Sequence, residues 1–214
     1  MGIINAIHRV SDDEGADYLR KYYLSAEEFY TGSEFERIGA DSGFENRFTA
    51  ADLYSVTTLA VEVPARAGIA ILGGESSAFN GLLEHFPNVA IGSLSESEFE
   101  EHLGLKSKAM GLWDLLRRNR PGDSRWGIGP TTTSKLMARK RPHLIPIEDS
   151  VVNWVIELGQ GDSWRLWWDA FQAEGDYLEE RATKLRAEIG RPELSTLRVF
   201  DVMLWMWGKA NLSA

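Results

Sequence analysis

The sequence predicts an all-α protein, and three observations carry that expectation. Apolar residues recur at helical spacing, as at Met110, Trp113 and Leu116. Two segments, Thr49-Ala50-Ala51-Asp52 and Ser95-Glu96-Ser97-Glu98, have the form of capping boxes, and no stretch shows the strict alternation of a half-buried strand. A chain of 214 residues with 43% hydrophobic content buries a substantial core without a covalent staple. The expected organisation is one compact all-α unit over residues 1–214, either a single domain or two helical lobes sharing a cleft.

The elements follow in order. Thr49 opens a helix expected to reach about Val63, where Pro64 interrupts it. Residues 77–86 read as a short helix, and Ser95 starts a third. Residues 107–119 form an amphipathic helix, followed by the clearest loop, Arg120-Pro121-Gly122-Asp123-Ser124. Further helices are expected at 149–158, 162–174, 176–189 and 195–207, the last capped by Ser195. The apolar run at 69–72 fits a buried helix or a strand equally well. There is no internal repeat.

Composition excludes several chemistries. The chain has no Cys, which removes disulfides and thiolate zinc sites. His8, His85, His102 and His143 are scattered without metal-ligand spacing, so neither metal nor cofactor is expected. No apolar run approaches the roughly 20 residues that span a bilayer, and the N-terminus lacks the features of a signal peptide. The expectation is a cytoplasmic, monomeric protein with no membrane partner.

Net charge is −9 at pH 7, but it is unevenly spread. Residues 106–141 hold ten basic side chains against two acidic ones, a local balance of plus eight, whereas the remainder holds 13 basic and 30 acidic. Such a basic stretch on an acidic body suits a face that grips phosphate, although it also fits a solvated helix surface.

Within that stretch lies the most informative segment. Gly127-Ile128-Gly129 is suited to a tight turn with free amide N–H groups, and Pro130 is well placed to open the next helix, where its missing N–H costs nothing. Asp149 stands twenty residues beyond Gly129, at the expected start of another helix. A phosphate cradle and a carboxylate therefore come as a pair.

This pairing resembles the helix-hairpin-helix DNA glycosylases, base-excision enzymes with a Gly-hydrophobic-Gly hairpin and a catalytic Asp about twenty residues on. Thr132 falls where that family has Ser or Thr, and Asp149 where it has its Asp; Arg125-Trp126 replaces the usual Leu-Pro, and Thr133 a small Ala. Residues 138–152 also look like a group of uncharacterised bacterial proteins with the same Arg-Lys-Arg-Pro and Asp-Ser-Val run.

The resemblance implies two helical lobes with a helix-hairpin-helix beside a central cleft, residues 107–152 forming the hairpin and catalytic-Asp segment. It implies double-stranded DNA as partner, with Gly127, Ile128, Gly129, Thr131, Thr132, Lys135, Arg139 and Lys140 on the backbone. The four-Cys iron–sulfur cluster of some members is ruled out by composition. Asp149 would stabilise the positive charge that develops on deoxyribose and orient the attacking water, acting on a nucleotide drawn out of the stack. The alternative is a non-catalytic DNA-binding protein in which Asp149 only caps a helix. Members that also nick the strand carry a Lys two residues after the second Gly; Thr131 occupies that position, so a monofunctional enzyme is expected.

Of the eight Trp residues, Trp164, Trp167 and Trp168 stand at core helical spacing. Trp126 adjoins the Gly turn and reads either as a base or sugar contact or as a plug closing the hairpin; Trp113 is a candidate pocket or wedge residue. Phe44, Phe48 and Tyr54 are further candidates for a base pocket. Arg198 and Asp201, at i and i+3, read as a structural ion pair.

Overall fold

The computed structural model describes residues 2–40, 44–118, 120–159 and 161–212, and among them there are helices and connecting segments but no strand. They form two compact units: residues 1–30 with 142–214, and residues 31–141. No helix is long and apolar enough to cross a membrane among the described residues.

The first unit contains α1 (Ile3–Arg9), α2 (Asp12–Leu24), α9 (Ser150–Val155), α10 (Ser163–Glu188) and α11 (Thr196–Leu212). Helix α11 is its hub, packing on α1, α2, α9 and α10. Its Val199, Phe200, Met203 and Leu204 are buried, as are Trp164, Trp167 and Trp168 of α10, so those three Trp residues are core. The Arg198 Nη1 to Asp201 Oδ2 pair forms inside this core at 2.5 Å. Arg181 reaches from α10 to donate to the carbonyls of Ile7 and Val10, satisfying the end of α1. Residues 162–174 and 176–189, expected as two helices, run on as one, with non-helical backbone at Glu174 marking the expected break.

The second unit contains α3 (Ala50–Ser55), α4 (Ala65–Leu72), α5 (Ser76–Leu83), α6 (Glu96–Leu103), α7 (Lys108–Arg117) and α8 (Pro130–Lys140). Thr49 and Ser95 make the reciprocal bonds of capping boxes, with Asp52 and Glu98. The helix opened by Thr49 stops at Ser55 rather than near Val63, tightening to a 3-10 turn over Val56–Leu59 before Ala60 adopts a left-handed conformation. The ambiguous run at 69–72 is helical, within α4. The α7 helix ends with Arg118 left-handed; Asn119, its expected last residue, lies outside the described residues.

Candidate functional site

Helices α7 and α8 pack against each other in the second unit, joined through residues 118–129. Trp126 stitches this connection closed. Its Nε1 donates to the Leu116 carbonyl at 2.6 Å, its ring stacks near Phe79 at 6.3 Å between centroids, and the Arg118 guanidinium lies over its face at 4.4 Å. It is therefore the plug; being buried, it is corrected as a base or sugar contact. Trp113 is half-buried with the Arg117 guanidinium over its ring. Of the other pocket candidates, Phe48 is buried edge-on to Phe79, and Phe44 and Tyr54 are exposed.

The turn itself is built as an anion cradle would be. Gly127 adopts φ +89°, a conformation that strains any other residue, and a Cβ there would stand 3.1 Å from Pro64 Cγ. Gly129 is the N-cap of α8 at φ −92°, ψ 178°, with no side-chain cap, and Pro130 opens the helix as expected. The amide N–H groups of Gly127, Ile128, Gly129, Thr131 and Thr132 find no acceptor among the described residues. They are joined by the partial positive charge of the helix end. Thr133 is accommodated because its hydroxyl turns back to donate to the Gly129 carbonyl at 2.9 Å. The side chains of Ile128 and Thr132 are buried, so these two residues offer backbone, while Thr131 is half-exposed.

The basic side chains assigned to phosphate do something else. Lys135 is 4% exposed and its Nζ donates to the Leu59 carbonyl at 2.9 Å. Arg139 donates to the carbonyls of Phe35, Glu36 and Ile38 and pairs with Asp52 at 3.2 Å. Lys140, 8% exposed, pairs with the other Asp52 oxygen at 2.7 Å and donates to the Phe44 carbonyl. Arg141 follows suit, donating to the carbonyls of Leu83, Phe86 and Glu45 and to Asn46. Burial holds the Lys140 ammonium below the usual lysine value, with Asp52 acting in the opposite direction. Lys135, Arg139 and Lys140 are thus corrected from phosphate contacts to internal braces. Four of the ten basic side chains of the plus-eight stretch thus cement the second unit, while Lys106, Lys108, Arg120 and Arg125 stay exposed.

Asp149 belongs to the first unit. It is the N-cap of α9: its Oδ1 accepts from the Val151 amide at 3.0 Å, and the side chain is half-buried. That bond makes it an ordinary N-cap in its backbone role. Among the described residues, no cluster of three or more His, Asp or Glu side chains could hold a metal ion.

A model described as a family of unknown function, DUF6308, matches residues 15–208. This chain belongs to the DUF6308 family. No curated protein and no solved structure matches it. The DUF6308 match covers the Gly turn, the buried basic run and Asp149 alike.

One further cation of this DUF6308 chain was not legible in the sequence. Pro64, which touches the Gly127 turn, is the N-cap of α4, and Arg66 stands exposed in the first turn of that helix with no ion-pair partner among the described residues. The only signal for it would have been the contact between residues 64 and 127, far apart in sequence.

Proposed function

We propose that this protein grips the phosphate backbone of duplex DNA through the amides of Gly127–Thr132, and that it is a monofunctional DNA glycosylase with Asp149 as its carboxylate. One observation carries the reading: the exposed Gly127 turn leads into the uncapped start of α8 with five consecutive non-proline amides lacking an acceptor. A phosphate oxygen satisfies such donors without help from a side chain. Asp149 supports the catalytic half through its spacing from Gly129 and its fixed orientation. Hydrolysis of the N-glycosidic bond would pass the base to solvent as leaving group while water, held by Asp149, takes its place on the sugar.

The bond from Val151 to Asp149 equally favours a second reading, a DNA-binding protein in which the carboxylate is only a cap. A panel of duplexes, each with one damaged or modified base, separates the two. On a responsive duplex the parent should release the base and leave the strand intact. Asp149→Asn should bind that duplex as tightly and release nothing. Base release by the Asn variant at the parental rate would remove Asp149 from the chemistry; no release from any duplex, with binding retained, would favour the cap reading. Borohydride should trap no protein–DNA adduct, because Thr131 cannot form an imine and the Lys135 amine is held on Leu59.

A further inference from the structure

Helix α4 braces the connection that carries the Gly127 turn, and it does so at both of its ends. At its start, the Pro64 ring stands against Gly127. Just past its end, Glu75 accepts a hydrogen bond from Arg118 Nη2 and forms an ion pair with it, and the same guanidinium lies over the Trp126 ring. Trp126 is the residue before Gly127. Eight residues of helix set the two fixings about 12 Å apart. A carboxylate thus holds a cation, the cation holds a ring, and the ring's backbone leads directly into the turn.

Both partners are placed for this contact by their backbones. A Cβ at Gly73 would fall 2.7 Å from the Ile69 carbonyl oxygen, so Gly lets the chain turn away after α4, and the Glu75 amide donates back to the Ala70 carbonyl at 3.0 Å. Glu75 stands at the N-cap of α5 but its side chain makes no cap, which leaves the carboxylate to Arg118. Arg118 ends α7 in a left-handed conformation (φ 48°, ψ 55°), where Gly is the usual residue. Gly would supply neither the donor for Glu75 nor the planar cation for Trp126. The two side chains are 22% and 42% exposed, and a pair so placed adds little to global stability. Its effect is local, on the ring that precedes the turn.

We infer that Glu75 is a positioning residue for the phosphate-binding turn, acting through Arg118 and Trp126; the inference rests on the proposal that this turn takes phosphate. By charge alone a carboxylate works against DNA binding, so removing one would tighten it. A carboxylate that holds the turn in place has the opposite sign: removing it weakens binding.

The test compares the parent, Glu75→Ala and Glu75→Gln, with duplex affinity read by fluorescence anisotropy at low salt and the order of the turn read from 15N order parameters of Gly127, Ile128 and Gly129 without DNA. Glu75→Ala should bind about fivefold more weakly in spite of its lost negative charge, and the order parameters should fall from about 0.85 to about 0.6 or below. Glu75→Gln removes the same charge yet keeps an oxygen for Arg118, so it should bind more tightly than the Ala variant. Thermal unfolding of both should stay within about 4 °C of the parent. Parental or tighter binding by Glu75→Ala, or equal affinity in the two variants, would overturn the positioning role and leave the phosphate reading intact. Unchanged order parameters in Glu75→Ala would overturn it as well. Failure of the parent to bind duplex DNA would overturn the phosphate reading and this inference together.

Discussion

Asp149 carries two claims on one carboxylate, and they respond to different substitutions. As a cap it holds the Val151 amide, a role that Asn performs nearly as well and Ala cannot. Asp149→Ala should therefore lower stability by about 0.5–2 kcal/mol in urea unfolding, whereas Asp149→Asn should change it by a few tenths. Equal losses would show that charge rather than capping stabilises α9. The cap at Asp149 and the plug at Trp126 were both legible as alternatives in the sequence, because the residue types and their neighbours suit those roles. The burial of Lys135, Arg139 and Lys140 was not. Their acceptors are mostly backbone carbonyls, which leave no mark in a sequence, and the one carboxylate among them, Asp52, lies 87 and 88 residues from its two cations.

At the scale of elements, α8 departs from the amphipathic pattern that makes helices readable. Thr132, Thr133, Ser134, Lys135 and Lys140 are buried beside Leu136 and Met137, so polar side chains line the inside; Thr133 and Ser134 are satisfied locally, and Lys135 and Lys140 by distant carbonyls. Asp52 joins this helix to α3 while also completing the Thr49 capping box. Asp52→Ala would leave two buried cations without their carboxylate, and its cost in chemical denaturation should be about 3–5 kcal/mol. A loss under 1 kcal/mol would mean that the carbonyl oxygens alone carry the charge. In the first unit, Gly208→Ala would push α9 off α11, costing about 1–3 kcal/mol and, through displacement of Asp149, reducing any base release. Thermal unfolding and a single-turnover assay read the two effects; an unchanged Tm would show that the Val151 and Val155 side chains yield. Helix starts were legible at Thr49, Ser95, Ser107 and Asp162, where Ser, Thr or Asp takes the N-cap, but the start of α2, capped in the same way by Ser11, was not read. Helix ends were less so, because the stop after Ser55 depends on a 3-10 turn and a left-handed Ala60 that no Gly or Pro announces.

For the whole molecule, the all-α class was legible because caps and periodicity agree along the chain. The division into units was not, since the first is assembled from both ends of the sequence. That division also redistributes the charge. Residues 31–141 carry 13 basic and 14 acidic side chains, while the other unit carries 10 and 18, so the negative charge concentrates on the unit without the Gly127 turn. With Lys135, Arg139, Lys140 and Arg141 turned inward, DNA binding should depend on salt less steeply than the plus-eight count implies, each neutralised phosphate adding about −0.9 to the slope of log affinity against log salt.

The central claim is that the amides at the start of α8 take phosphate, and Gly129→Asp tests it most directly. Gly129 has ordinary backbone angles and open space at its Cβ position, so Asp fits without strain and supplies the missing N-cap. Its carboxylate would occupy the amides and repel phosphate. In a duplex-DNA titration at low salt, the account expects this variant to unfold at the same temperature as the parent or slightly higher, and to bind at least tenfold more weakly. Parental affinity in the folded Gly129→Asp protein would contradict it.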